Sequence, residues 1–323
     1  MTGAAAAGPS PARRRWRTVD GIVLLDKPHG LTSTQALQRV RRVLQAEKAG
    51  HAGTLDPMAT GMLPLCFGQA TKACGQLLGR RKAYRATVLL GAATDTGDAE
   101  GQVVERREVP PVSEAALGRV LASLRGDRQQ VPPMYSALKR DGRPLYELAR
   151  RGETVEREAR SISIDHLEVT ARTDRSLDLE VVCSKGTYVR VLAEEVATGL
   201  GTVGHLGALR RLWVEPFTGD RMVTLERIEA DGRHDPAGHD WLLPVDAAYP
   251  GLPVLRLDAT QSLHLRQGRT LDPPGGGTPG PLLRAYDDGH GFLGLVEVGA
   301  DGRLRVQRLF VAGAGTAPAG PKT

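Results

Sequence analysis

A chain of 323 residues, 41% hydrophobic and 25% charged, is long enough for one large domain with a smaller companion and has the composition of a globular protein in water. No apolar run approaches the length of a membrane-spanning helix, and three cysteines (Cys66, Cys74 and Cys183) without a C-x-x-C pair argue against a zinc site or disulfide framework and for a reducing cytoplasm. The net charge is +6, but Arg13, Arg14, Arg15 and Arg17 precede the first acid, Asp20, leaving about +2 for the rest. Overall basicity is therefore a weak argument for a nucleic-acid partner, and clustering must carry it.

The N-terminal "MTGAAAAGPSPARRRWR" has no apolar core ahead of a cleavage site, so residues 1–19 are expected to be a disordered basic tail rather than a signal peptide. "GIVLLDKPHG" reads as a buried strand ending in a Lys-Pro turn. In the next stretch Ser33 or Thr34 is the expected helix cap, Leu37, Val40 and Leu44 share a face, and Gly50 ends the helix. "GHAGTLDPMATG" then crowds His, Asp, Pro and Gly into a loop of demanding shape that holds one carboxylate, Asp56. "MLPLCFGQATKACGQLLG" is expected to be a strand entering a helix, and "KAYRATVLLGAATDTGDAEGQVV" a strand with an acidic turn. Residues 113–126 suit a capped helix, and Leu145–Arg151 a short one after a Pro-rich loop. "RSISIDHLEVTAR" and "SLDLEVVCSKGTYVRVLAEEVATGLG" read as two alternating strands, the second turning helical at about Val189. With no regular βαβ alternation, the expected class is α/β of the α+β type, built on a mixed, largely antiparallel sheet. A Pro/Gly/Asp-rich connector over 227–253 separates residues 20–250 from a small β domain over 251–312, interrupted by "PPGGGTPG"; a tail over 313–323 is disordered by composition.

Several chemistries fail on spacing. The catalytic-looking loop lacks the Gly-Lys-Ser/Thr ending of a phosphate loop, "DTGDAEG" has calcium-type residues at the wrong offsets, and neither an H-x-x-x-H pair nor a G-x-S-x-G elbow is present. Two basic runs stand out. One carries Lys72, Arg80, Arg81, Lys82 and Arg85 without an acid; the other, Arg125 to Arg151, carries seven positives including Lys139, Arg140 and Arg143. They are either solvated faces or the footprint of an anionic partner. In "CSKGTYVRVLAEE", Tyr188 offers a face for a nucleobase and Arg190 a fixed cation for a carboxylate; equally, Tyr188 could be core and Arg190 a surface pair.

Six blocks taken together resemble the TruB family of bacterial tRNA pseudouridine-55 synthases: "GIVLLDKPHGLTS", "GHAGTLDPMATGMLPLCFGQATK", "KAYRATVLLGAATDTGDAEG", "VPPMYSALKRDGRPLYELARRG", "CSKGTYVR" and "LGALRRL". They stand in family order and span roughly residues 20–225. The resemblance implies isomerisation of uridine 55 in the tRNA T-loop to pseudouridine, without a cofactor or metal, on a pseudouridine-synthase catalytic domain followed, in a looser match, by a PUA-like RNA-binding domain. It implies a monomer that needs tRNA and no obligatory protein partner. By position, Asp56 matches the catalytic aspartate, Tyr84 the tyrosine that stacks on the target base, and Arg190 the arginine paired with the aspartate. Tyr188 and Leu209 match residues lining the uracil pocket, His51 the residue filling the space left by the flipped nucleotide, and Lys27 with Pro28 the Lys-Pro turn beside the site.

That chemistry explains the residue types. The C1′–N1 bond breaks, the ring turns, and C5 bonds to C1′, so the detached base must be retained in a closed pocket. Extruding it costs on the order of a few kcal/mol, and stacking on Tyr84 returns about 1–3 kcal/mol. Asp56 must stay ionised, which Arg190 favours against desolvation. Whether Asp56 adds covalently to ribose or uracil or abstracts the ribose 2′ proton is open. Asp95, Asp98 and Glu100 read as turn or RNA-contact residues. Lys72, Arg80, Arg81, Lys82, Lys139, Arg140 and Arg143 are candidate phosphate contacts. A non-catalytic RNA-folding helper and an RNA-guided relative requiring partner proteins are the competing readings.

Overall fold

The structure, a computed structural model, describes residues 16–140, 142–231, 238–274 and 278–310. Residues 1–15 of the expected tail over 1–19, the expected tail over 313–323, the last two residues of the expected β domain over 251–312, and the centre of "PPGGGTPG" lie outside the described residues. Residues 16–19, assigned above to the tail, belong to the fold: the backbone of Arg17 bonds to Gln45 and Glu47, and Val19 is buried.

In chain order the first half comprises β1 (Gly21–Lys27), α1 (Ser33–Leu44), β2 (Ala49–His51), β3 (Thr60–Phe67), α2 (Cys74–Leu78), β4 (Lys82–Leu90), β5 (Ala92–Thr94), β6 (Val103–Arg106), α3 (Glu114–Leu124) and β7 (Gly126–Gln130). There follow β8 (Lys139–Arg140), β9 (Arg143–Pro144), α4 (Leu145–Ala149), β10 (Arg160–Arg172), β11 (Ser176–Cys183), α5 (Val189–Gly199), β12 (Gly204–Val214), β13 (Val223–Thr224), α6 (Leu225–Asp231) and β14 (Leu242–Leu243). The C-terminal part adds β15 (Val254–Leu257), α7 (Ala259–Arg266), β16 (Leu283–Asp287), β17 (Phe292–Val298) and β18 (Leu304–Leu309).

Ten strands form one sheet with the path β13-β1-β3-β12-β4-β11-β10-β7; β14 pairs with β1 and β2 with β3. Only β1–β13 and β3–β12 are parallel, so the sheet is mixed and largely antiparallel. The alternation of β11 explains its place: Leu177, Leu179 and Val181 point to one face, opposite Val88, Ala86 and Tyr84 of β4. That face is covered by α1, α3, α5 and α6. The other face packs on α2, on residues around Tyr249, and on Leu295 and Phe310 of the C-terminal sheet β15-β16-β17-β18.

Two local expectations are corrected. The α1 cap is Thr32, whose side chain accepts from Gln35 in a capping box, and Ser33 is already helical. The helix ends at Leu44 with Gln45 in the left-handed conformation; Gly50 lies in β2, six residues on. β12, eleven residues through the middle of the sheet, was not anticipated as a strand.

Candidate active site

The loop between β2 and β3 is shaped by its neighbours. The Ser33 hydroxyl accepts from the Leu55 amide (2.8 Å) and donates to the Leu55 carbonyl (3.1 Å). The Lys27 ammonium donates to the carbonyls of Leu31 (2.7 Å), Pro28 (2.9 Å) and Pro57 (3.3 Å). The Gly30 amide also donates a hydrogen bond to the Pro57 carbonyl at 2.8 Å. Asp56 is thus bracketed by two anchored residues. Gly53 (φ +105°) and Gly61 (φ +97°) close the loop in a region that disfavours side chains. At Gly61 a Cβ would lie 2.2 Å from the Arg211 carbonyl oxygen.

Opposite the loop, α5 delivers Arg190. Its start is fixed by buried Gln130, which accepts from the Tyr188 amide (2.8 Å) and donates to the Tyr188 carbonyl (3.2 Å). Arg190 is 5% exposed. Its guanidinium donates to the carbonyls of Thr96 (2.8 Å) and Tyr135 (2.6 Å), and its Nε meets Asp56 at 3.1 Å and Asp98 at 3.6 Å. One arginine therefore serves two carboxylates. Asp98 is not a plain surface turn residue: it is 4% exposed, and it accepts from the Thr96 hydroxyl (2.6 Å) and the Glu100 amide (3.1 Å). Its turn is tied to β12 through Leu206 and packs on α5 at Gly97. Asp95, by contrast, is a turn residue that accepts from the Gln102 amide.

Asp56 keeps 38% of its side chain open. In the free protein the carboxylate is therefore partly accessible to solvent. Surrounding protein mass nevertheless pushes its carboxyl above the ordinary range; Arg190 and Lys27 pull it back, and Asp98 adds to the rise. Burial lowers Lys27 to about 8, opposed by Asp56.

Tyr84, on β4, is 7% exposed, and burial raises its phenol against an opposing pull from Arg211. Leu209, on β12, is half-buried opposite Ala86. Tyr188 caps α5 beside Arg190. His51 ends β2 opposite Leu65; burial and Arg211 lower its pKa, and its Nδ1 is buried without a hydrogen-bond partner among the described residues. A residue that sequence reasoning passed over is Arg211, 1% exposed, which donates to the carbonyls of Met62 (2.7 Å) and Gly53 (3.0 Å). The only sequence signal was the paired arginines of "LGALRRL"; its neighbour Arg210 instead makes a two-point pair with Asp26 at 2.9 and 2.8 Å.

The candidate phosphate contacts divide. Lys82 is buried and donates to the carbonyls of Leu78 (3.0 Å) and Arg80 (2.5 Å), which removes it from the exposed cations. Lys72 donates to the Leu309 carbonyl (2.7 Å) and lies over the Phe310 ring, so it joins the C-terminal sheet to the rest. Arg80 is half-buried, and Arg81 is exposed but paired with Glu215 and Asp165. Lys139, Arg140 and Arg143 are exposed on the β8–β9 hairpin. There a cavity of about 590 Å³ opens between Arg140, Arg143, Glu153 and Glu156; it does not include Asp56. Among the described residues no group of His, Cys, Asp and Glu is placed to hold a metal, and no helix is long and apolar enough to cross a membrane.

The family description "TruB family pseudouridylate synthase (N terminal domain)" matches residues 41–189. "tRNA pseudouridylate synthase B C-terminal domain" matches 190–249, and "Pseudouridine synthase II TruB, C-terminal" matches 253–310. The chain is 52% identical over 297 residues to a tRNA pseudouridine synthase B of Aromatoleum aromaticum, covering 92% of this chain and 94% of the relative. It is 47% identical over 298 residues to one of Xanthomonas campestris pv. campestris, covering 92% and 96%. Among solved structures, the crystal structure of a Cbf5-Nop10-Gar1 complex shares the fold at a TM-score of 0.67 and 23% identity, over 90% of this chain and 85% of that one. Sequence blocks, sheet topology and relatives converge: the chain belongs to the TruB family of pseudouridylate synthases.

Proposed function

We propose that this enzyme isomerises uridine 55 in the T-loop of tRNA to pseudouridine, with Asp56 as the reacting carboxylate. The observation that carries the reading is the Asp56–Arg190 contact at 3.1 Å, in which the guanidinium is buried and the carboxylate is still partly accessible. A carboxylate with a buried guanidinium behind it and solvent in front can be approached by a flipped nucleotide. Tyr84 stacks on the base, Leu209 and Tyr188 line its pocket, and His51 fills the gap left in the RNA. Lys27 holds the Pro57 carbonyl, so the Lys-Pro turn fixes the loop that presents Asp56. RNA closing over Asp56 completes the desolvation that retains the base during rotation. Arg80, Arg81, Lys139, Arg140 and Arg143 contact the phosphates, and residues 251–312 act as the PUA-like RNA-binding unit beside the catalytic domain over 20–250. The enzyme works as a monomer in the cytoplasm, without cofactor or protein partner.

The test is tritium release from tRNA transcript labelled at uridine C5, since isomerisation replaces that hydrogen. The purified chain alone should release one equivalent, Asp56→Asn should release none, and a transcript with cytidine at position 55 should release none from that site. Binding without release would leave an RNA-folding helper. Release only after adding partner proteins would leave an RNA-guided enzyme.

A further inference from the structure

Lys27, Lys82, Arg190 and Arg211 gather around the loop that carries Asp56, with Glu100 and Glu194 also near; two carboxylates there, Asp56 and Asp98, reach a guanidinium. Arg190 is matched by both carboxylates. Arg211 is not. Although 1% exposed, it has no carboxylate within salt-bridge distance among the described residues. A buried charge without a counter-charge is costly to hold, and a guanidinium does not escape by losing its proton. Of its five N–H groups, two are taken by the Met62 and Gly53 carbonyls. Tyr84 stands opposite Arg211 across the β4–β12 ladder, and the guanidinium pulls its phenol down against the rise that burial causes. Its field extends to His51, Lys27 and Lys82, each of which it makes a poorer proton holder. An arrangement that keeps positive charge unmatched beneath a site suits a step in which negative charge forms there.

We propose that Arg211, acting through the Tyr84 hydroxyl, is a positioning residue that stabilises the negative charge on the uracil ring while it is detached from ribose. The inference rests on the reading above, in which Tyr84 lies on the target base. When the C1′–N1 bond breaks, its electron pair stays on the ring. C1′ is compensated either by a bond to the Asp56 carboxylate or by loss of the 2′ hydrogen to it as a proton. The ring turns and its C5 forms the new bond to C1′; in the first case the C1′–O bond to Asp56 breaks as it forms, and in the second C2′ takes its proton back from Asp56. C5 then gives up its proton and N1 regains one, so no atom or electron is gained overall. In the interval the ring is an anion, stabilised by the Tyr84 hydroxyl that Arg211 polarises from across the ladder. Arg211 also clamps Gly53, three residues before Asp56, so a purely structural role must be separated from an electrostatic one.

The separating experiment uses single-turnover conversion of T-arm hairpin RNAs carrying uridine or 5-fluorouridine at the target. Fluorine withdraws electrons and stabilises the departing ring anion, so an enzyme lacking the Arg211 effect should be hurt less on that RNA. Arg211→Lys, which keeps the charge but loses the planar fork, is expected to slow uridine conversion by roughly 10²-fold. Its RNA dissociation constant should change by less than about threefold, and its loss on 5-fluorouridine should be at least about tenfold smaller. Tyr84→Phe keeps the ring and the Gly53 clamp and is expected to show the same substrate pattern, which tests the proposal even if the lysine variant fails to fold. Equal losses on the two RNAs, or weakened RNA binding with an unchanged single-turnover rate, overturn the proposal while leaving the isomerase reading intact. A wild type that converts neither RNA sinks that reading and the proposal with it.

Discussion

Removing Arg190 should damage the protein mainly through Asp98, not through Asp56. In Arg190→Ala two backbone carbonyls, Thr96 and Tyr135, lose their donor, and Asp98 loses its cation while 4% exposed. Breaking a buried pair by deleting one partner is worth about 3–5 kcal/mol. Asp56 adds little to that loss, because its side chain is 38% open and solvent can replace the guanidinium; exposed pairs contribute about 0–1 kcal/mol. Asp98 retains the Thr96 hydroxyl and the Glu100 amide, which places the expected destabilisation toward the lower end of the range. Urea unfolding of wild type, Arg190→Ala, Asp98→Asn and the double variant measures it. The double variant should recover part of the loss, with a coupling energy of about 1–3 kcal/mol, because an amide in place of the Asp98 carboxylate has no charge to strand. Tritium release should vanish in both variants lacking Arg190, since stability can be restored without restoring the cation beside Asp56. A loss below about 1 kcal/mol, or a double variant no more stable than Arg190→Ala, would falsify the assignment of the buried partner.

Further outcomes follow from named contacts. Since burial raises the Asp56 carboxyl, the acid limb of the single-turnover rate should sit above the ordinary carboxylate range, activity rising with pH; a flat rate down to about pH 4 would contradict a raised Asp56 carboxyl. By the same sign, ionised Asp56 weighs on the folded state above its unfolded pKa. Asp56→Asn at pH 7 should then be inactive but melt no lower than wild type, and a clear drop in Tm contradicts this. Lys72→Ala should loosen the C-terminal sheet to limited proteolysis yet leave the salt slope of tRNA binding unchanged, because its ammonium is held by Leu309. Arg143→Ala should reduce that slope by about 0.9, the value for one phosphate contact. Finally, Gly61→Ala should cost more stability than Gly53→Ala: both have positive φ, but at 61 the new Cβ meets backbone at 2.2 Å, and at 53 it meets the Arg211 side chain at 3.3 Å. Equal losses in thermal melts would mean that strain alone, about 1–3 kcal/mol, decides both.

How much of this was legible in the sequence depends on how local each cause is. Period-two patterning named β10 to the residue and placed β11 and the start of α5, because each of those strands carries its own apolar face. The α3 cap at Ser113 was equally readable. The α1 cap was displaced by one residue because Thr32, Ser33 and Thr34 are chemically equivalent as caps; what separates them is that Leu55, distant in the chain, takes the Ser33 hydroxyl for itself. Likewise Asp98 and Asp95 look alike in "DTGDAEG". Only the docking of that turn onto α5 and β12 turns one inward and leaves the other as a turn brace.

The buried cations show the same limit more sharply. Lys82 and Lys72 were counted with the basic run because charge runs are usually solvated, yet the structure gives both ammonium groups backbone carbonyls as partners. Carbonyl acceptors leave no mark in a sequence, since every residue has one. Arg211 was invisible for the same reason, and β12 was missed with it, as twin arginines spoil the alternation that marks a strand. Charges satisfied by backbone rather than by acids raise the positive field without raising the number of carboxylates. Composition therefore understates how cationic the surroundings of Asp56 are: a chain body near +2 by sequence buries Lys27, Lys82, Arg190 and Arg211 around the Asp56 loop. An anionic polymer would be drawn to that loop by a local excess that overall charge does not reveal.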